Sequence, residues 1–193
     1  MLTLYLIRHG QTESNINSVI MGGMVDTPLT EEGMQHIGRI IQKLTGIRFE
    51  EIYSSDLGRA FMTAYHIKEN LNLPANITPR KELREMNYGI YSNMKKEDVR
   101  KKCPQYKTDP YYIFPDGESF AQMQQRVVNY VNDLEERHKN KSILVVAHSG
   151  VVRALICYFK RWYIGDYLNL KIPHIYVGVF SINNGDMLSY KEI

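Results

Sequence analysis

The apolar positions of this chain fall into short unbroken runs and longer runs with helical spacing. The run Leu2 to Ile7 has strand length and β-favouring residues, and it ends abruptly at Arg8, His9 and Gly10. Lys141 to Ala147 repeats the device. This second apolar strand ends in His148, Ser149 and Gly150, and a helical run from Val151 to Tyr158 follows. A further strand is predicted over Phe49 to Ser54, and a short one near Ile77 between Pro74 and Pro79. Tyr176 to Ile182 and Met187 to Tyr190 read as a closing hairpin with Asn184-Gly185 at its turn.

Helical spacing fills the intervals. Thr30 is placed to cap a helix with Glu31 and Glu32 in its first turn and Met34, Ile37, Ile40, Ile41 and Leu44 on its apolar face. Ser55 or Asp56 opens the next helix, whose buried face is Leu57, Ala60, Phe61, Ala64, Ile67 and Leu71, with Arg59 in its first turn. Ser119 and Gln122 have capping-box spacing ahead of Phe120, Met123, Val127, Val131 and Leu134. Glu82 to Asn93 reads as a polar loop and Lys95 to Cys103 as a short basic helix. Pro104 to Gly117 reads as irregular, with Tyr106, Tyr111, Tyr112 and Phe114.

Strands alternating with helices predict an α/β three-layer sandwich: a mostly parallel sheet, helices on both faces and an antiparallel edge hairpin. No repeat or linker interrupts the chain, so residues 1–193 read as a single domain, with residues 86–117 as a cap or lid insertion.

Composition narrows the function classes. The chain has 193 residues, 44% of them hydrophobic and 23% charged, which is ordinary for a globular protein. A net charge of +3 gives no case for nucleic acid but suits anionic ligands. No apolar run approaches the roughly 20 residues that span a bilayer, so no membrane partner is expected. No basic segment precedes the first strand, and Cys103 and Cys157 have no metal or redox spacing. Free thiols in a cytoplasmic protein are the expectation.

Two strands that each deliver an imidazole to their carboxyl ends can place both in one crevice if they are neighbours. In α/β sheets that end is where ligands bind. Four motifs then occur in order: Arg8-His9-Gly10 with Asn15; Ser54-Ser55-Asp56-Leu57-Gly58-Arg59-Ala60; Glu82-Leu83-Arg84-Glu85-Met86-Asn87-Tyr88-Gly89; and Ala147-His148-Ser149-Gly150. In these the chain resembles the histidine phosphatase superfamily, the phosphoglycerate mutase-like group, over nearly its whole length. Among that group are small-metabolite phosphatases such as α-ribazole phosphatase and fructose-2,6-bisphosphatase. Asn87, Tyr91-Ser92-Asn93 and Gly23-Met24 depart from the family pattern, all at what would be the pocket rim.

The residue types suit phosphoryl transfer, which is mostly positioning and electrostatic stabilisation of charge on three equatorial oxygens. Arg8 and Arg59 offer planar forks that match phosphate oxygens, Asn15 adds a neutral donor, and Ser149 and Gly150 open a helix whose amides can hold an anion. Nearby arginines disfavour an imidazolium, which keeps His9 a free base. The resemblance implies His9 as the nucleophile that forms a phosphohistidine, its other nitrogen donating to a backbone carbonyl. It also implies Glu85 as the general acid. His148, protonated or donating, would hold a non-bridging oxygen. A carboxyl facing a phosphate keeps its proton through like-charge repulsion. Glu82 is the rival acid, read here as a solvated loop charge, and Glu13 is a more distant one.

His36, His66 and His138 lie on predicted helices without a ligand partner nearby, so neither a metal nor any other cofactor is expected. Ser149 lacks the glycine two residues before it that a nucleophile elbow needs, since Ala147 stands there. Lys95, Lys96, Arg100, Lys101 and Lys102 read as a solvated helix face, with contact to an anionic substrate as the less favoured reading. The leading expectation is a metal-independent phosphomonoesterase acting on a small phosphorylated metabolite through phosphohistidine. The first alternative is a mutase, which such relatives accompany with a longer insertion after the Glu85 motif. The second is a non-catalytic module that binds phospho-ligands or proteins. Pro115-Asp116-Gly117-Glu118-Ser119 resembles a segment shared by sugar-bisphosphate and ribazole phosphatases.

Overall fold

The computed structural model describes residues 1–193. In chain order the elements are β1 (Leu2–Arg8), α1 (Glu13–Ile16), β2 (Val19–Ile20), α2 (Glu31–Leu44), β3 (Glu51–Ser55), α3 (Gly58–Asn70), β4 (Ile77–Arg80), β5 (Met94–Lys95), α4 (Lys96–Lys102), α5 (Phe120–Arg137), β6 (Ser142–Ala147), α6 (Ser149–Phe159), β7 (Val177–Asn183) and β8 (Asp186–Glu192). The main sheet has the order β4-β3-β6-β1-β7-β8. β1, β3, β4 and β6 pair in parallel, and β7 runs antiparallel to both β1 and β8. The hairpin therefore forms the edge beside β1, turning through Asn184 and Gly185 at φ 53° and 78°, the two left-handed positions of a type I′ turn.

The sheet is apolar on both faces because a layer of helices covers each. Leu2, Leu4, Leu6, Ile143, Val145 and Ala147 join α5 and α6 in one core. Ile7, Ile52, Leu144 and Val146 join α2 and α3 in the other. Each leucine of β1 is wholly buried, which stabilises the fold by about 1.5–3 kcal/mol apiece. This double coverage explains why β1 and β6 read as continuous apolar runs rather than alternating ones.

Helix starts follow their caps. Thr30 Oγ1 accepts from Gly33 N at 2.9 Å, and Ser119 with Gln122 forms a reciprocal capping box of 3.1 and 2.9 Å. The start of α3 differs from expectation. Its N-cap is Leu57, without a side-chain cap. Ser55 Oγ accepts from Leu57 N instead, and Asp56 is drawn away by Arg84, whose Nε and Nη2 donate to it at 2.6 and 2.7 Å. A two-stranded ladder that the sequence did not suggest joins β2 to β5.

Residues 86–117 pack Met86, Val99, Cys103, Tyr106 and Phe114 into the same core as α5 and α6. Asn87 and Glu118 close the base of this excursion. Glu118 N donates to the Asn87 carbonyl at 2.9 Å, and Asn87 N donates to Glu118 Oε1 at 2.9 Å. Gly89, at φ 53°, lies against the Pro115 carbonyl so closely that any Cβ would collide with it.

β1 leaves for α2 on one face and β6 leaves for α6 on the other. Because β1 and β6 are neighbours, their carboxyl ends form a switch point, where a crevice opens.

Candidate active site

Arg8 pairs in register with Ala147, and His9 N donates to the Ala147 carbonyl at 2.9 Å. The strand ladder thus carries His9 and His148 to the same level, with ring centroids 5.1 Å apart. His9 Nδ1 lies 2.7 Å from the Gly10 carbonyl. A carbonyl only accepts, so Nδ1 carries the proton and Nε2 keeps its lone pair. Burial first, and then the Arg59 and Arg8 charges, hold His9 well below the ordinary histidine pKa.

The arginines are anchored by backbone. Arg8 Nη1 donates to the Ile172 carbonyl at 2.5 Å, and burial lowers its pKa to about 10, so it remains a cation at neutral pH. Arg59 Nη1 donates to Val25 O at 2.8 Å and Asp26 Oδ1 at 3.1 Å, and its Nη2 donates to Gly22 O at 2.9 Å. The forks expected from sequence are therefore partly spent, that of Arg8 on Ile172 and that of Arg59 on the 22–26 loop. Nε of both arginines lacks a partner in buried surroundings, an unsatisfied donor that calls for an acceptor. Gly22, at φ 60°, lies so close to the Met86 carbonyl that a Cβ would stand 2.7 Å from it, and this closeness lets the loop reach Arg59. Asn15 Oδ1 accepts from Thr12 N and Thr12 Oγ1 at 3.1 Å each, which leaves the amide's Nδ2 limb for a ligand.

His148 is wholly buried, and burial with Arg59 and His9 beside it pushes its pKa well down, so it is neutral rather than protonated. Both its ring nitrogens lack partners, in buried surroundings beside the His9 ring. The opening of α6 holds Glu85. Gly150 N donates to Glu85 Oε2 at 3.0 Å and Ser149 Oγ to the same oxygen at 3.4 Å, while Met86 N donates to Oε1 at 3.0 Å. A carboxylate answers the positive end of a helix as a phosphate would.

The crevice has a cavity volume of about 280 Å³ and is walled by Arg8, His9, Asn15, Arg59, Glu85, Ser149 and Gly150. Glu82 and Glu13 are exposed and stand outside it. Of the basic run only Lys96 lines it. Most of the tyrosines of residues 104–117 and their neighbours serve packing: Tyr88, Tyr91, Tyr106 and Tyr112 ring Phe114 at 5.0, 5.9, 5.8 and 5.2 Å. His138 is buried, with its Nε2 hydrogen-bonded to Tyr53 Oη at 2.7 Å and its Nδ1 without a partner.

The structure adds residues that the sequence reading passed over. Arg153, Tyr88, Tyr167, Phe120 and Met21 also line the crevice. Arg153 could have been found, since it stands one helical turn beyond Ser149 and so on the same face. His174 has its ring 6.3 Å from His9 and stacks on His36 at 5.9 Å, and burial with the Arg8 charge lowers its pKa to about 4. No local signal marks His174, because only the return of the chain near Ile172 brings it to β1.

The family model described as "Histidine phosphatase superfamily (branch 1)" matches residues 4–189. The adenosylcobalamin/alpha-ribazole phosphatase of Escherichia coli is 33% identical over 80% of this chain and 77% of its own length. The 2,3-bisphosphoglycerate-dependent phosphoglycerate mutase of Brucella melitensis is 32% identical over 99% of this chain and 97% of its own. Among solved structures, YhfR of Bacillus stearothermophilus superposes with a TM-score of 0.86 at 28% identity, covering 97% of this chain and 94% of that one. The chain belongs to the histidine phosphatase superfamily. No helix is long and apolar enough to cross a membrane.

Proposed function

We propose that this member of the superfamily hydrolyses the phosphate monoester of a small metabolite through a phosphohistidine at His9, without a metal. The observation that carries the reading is the state of His9: Nδ1 is held by the Gly10 carbonyl, and Nε2 is unprotonated between Arg8 and Arg59 in a closed-in crevice. Nε2 attacks phosphorus, the P–N bond forms as the P–O ester bond breaks, and Glu85 delivers its proton to the leaving oxygen. Water then attacks the phosphohistidine, Glu85 takes back a proton, and inorganic phosphate leaves as the P–N bond breaks. Arg8 and Arg59, through Nε and their remaining Nη hydrogens, neutralise the equatorial oxygens, with Asn15 Nδ2 as a further donor. His148, neutral, donates one N–H to the same oxygens. As phosphate enters, Glu85 leaves the Gly150 amide and takes up from water the proton that it then delivers, and that amide becomes an anion donor.

The mutase reading keeps the same intermediate and returns the phosphoryl group to a second hydroxyl. It draws on the Brucella mutase, which is matched over 97% of its own length. Overall length therefore does not separate that enzyme from this chain. The experiment is phosphate release from a panel of small phosphate esters with EDTA present. Release that survives EDTA supports the hydrolase; isomer formation from 3-phosphoglycerate without phosphate release would replace it with the mutase.

A further inference from the structure

Thr63 lies on α3 one turn beyond Arg59, and it is wholly buried. Its Oγ1 stands 2.7 Å from the Arg59 carbonyl and 3.0 Å from Gly10 N. The direction of both bonds is forced. A carbonyl only accepts and an amide only donates, so the one hydroxyl proton goes to Arg59 and a lone pair faces Gly10. A mid-helix threonine often returns its proton to the carbonyl four residues back. Here the same oxygen also takes up a donor from the end of another element, β1.

These two bonds extend into a longer chain. The Gly10 carbonyl accepts from His9 Nδ1 at 2.7 Å. Gly10 is thereby held at both of its polar groups, the amide by Thr63 and the carbonyl by the His9 ring. Its α-carbon is closed in as well: a Cβ there would stand 3.1 Å from the Gly33 carbonyl oxygen and 3.2 Å from both Ile37 Cδ1 and Leu29 Cδ2. A buried amide needs a partner, and Thr63 is the partner of this one. On its other side His9 N donates to the Ala147 carbonyl at 2.9 Å, so the strand end is tied to β6 as well as to α3. Ile7 of β1 shares one core with Ala60 and Ala64 of α3. That packing brings helix and strand together, and the hydroxyl adds a directional bond between them. Arg59 stands at the far end of the chain, its carbonyl bonded to Thr63 and its guanidinium held separately by Val25, Asp26 and Gly22.

We propose that Thr63 is a positioning residue for the phosphoryl-transfer step: its hydroxyl locks the Gly10 backbone, so that the Gly10 carbonyl keeps the proton on His9 Nδ1 and leaves the Nε2 lone pair for the ester, at a fixed spacing from Arg59. The proposal rests on the phosphatase reading, which makes Nε2 the attacking atom, and adds what holds that atom in place. Thr63 touches neither the substrate nor the reacting atoms. Its leverage comes from geometry, since a nucleophile misplaced by about 1 Å can lose about 10²-fold in rate. Without the hydroxyl the Gly10 amide loses its partner, Gly10 shifts to find another, and the carbonyl that fixes the His9 ring shifts with it.

The test compares Thr63→Val, which keeps the shape and removes the hydroxyl, with Thr63→Ser, which keeps the hydroxyl, both in the whole protein. Nitrogen NMR of the His9 ring at neutral pH reads the tautomer, and phosphate release from p-nitrophenyl phosphate reads kcat and KM. Thr63→Val should give mixed tautomers at His9 and lower kcat about ten- to a hundredfold with little change in KM. Thr63→Ser should keep the Nδ1–H tautomer and most of kcat. Ile67→Val, a core substitution on the same helix, controls for lost stability alone: it should lower Tm and leave both readouts unchanged. Thr63→Val with the wild-type tautomer or the wild-type kcat overturns the proposal. So does Thr63→Ser as impaired as Thr63→Val, or an equal loss of kcat in Ile67→Val. If the wild type hydrolyses no ester, the phosphatase reading fails and the tautomer alone judges the lock: mixed tautomers in Thr63→Val support it, and an unchanged ring overturns it. If Thr63→Val does not fold, the wild-type protein decides: a slowly exchanging Thr63 hydroxyl proton supports the lock, and one in rapid exchange with water overturns it.

Discussion

The Glu85 carboxylate accepts a hydrogen bond from the Gly150 amide at 3.0 Å, and the glycine is what permits the approach: a Cβ on residue 150 would fall on Glu85 Oε1. The general acid of the proposed reaction and the opening of α6 are therefore one unit. Gly150→Ala should displace the carboxyl without unfolding a helix that tolerates alanine well. The expected loss is about ten- to a hundredfold in kcat, within the range for impaired general acid catalysis. Glu85→Gln should cost about 10²- to 10⁴-fold on alkyl phosphates, and much less on p-nitrophenyl phosphate, whose leaving group needs no proton. Equal losses on both esters would remove Glu85 from that role.

The buried histidines give a pH dependence with a definite sign. His9, His148 and His174 are all held below the ordinary value of 6.5, so the folded protein keeps them neutral while the unfolded chain protonates them. Stability is then full above pH 6.5 and falls as the pH drops below it, because the unfolded state binds the extra protons. Calorimetric melting between pH 6.5 and about 5, above the range of ordinary carboxylates, should show a falling Tm. NMR titration should find the His9 ring still neutral at pH 6.5, and Arg59→Gln should raise its pKa. A flat Tm together with an imidazolium at neutral pH would contradict the burial argument.

The base of the 86–117 excursion depends on Gly89, which combines a left-handed φ of 53° with contact against the Pro115 carbonyl. Gly89→Ala should lower stability by about 1–3 kcal/mol, as strain and collision add. The midpoint of urea unfolding measures this, with Gly38→Ala as a control, since nothing lies near a Cβ at that exposed helix position.

How much of this was legible in the sequence follows from how local each signal is. β1 and β6 read correctly because burial on both faces leaves an unbroken apolar run, and α2 and α5 because Thr30 and Ser119 cap them as their spacing implies. The opening of α3 was misplaced because Arg84, 28 residues later, takes Asp56 from the capping role. Arg8, His9, Asn15, Arg59, Glu85, Ser149 and Gly150 meet in one crevice as their motifs suggest, with the buried His148 ring beside that of His9. Long-range effects were invisible: the Glu85 carboxylate on α6, the neutral state forced on His148, and the arrival of Arg153, Lys96 and His174 from distant elements.

The central claim is a covalent phosphohistidine at His9, and rapid-quench labelling tests it most directly. The enzyme is mixed with an ester carrying radiolabelled phosphate, stopped within the first turnover, and mapped by peptide mass spectrometry. The label should be stable to base, labile to acid and located on His9, and absent from His9→Ala. A label on Ser149, or rapid turnover with no labelled protein at any time, would contradict it.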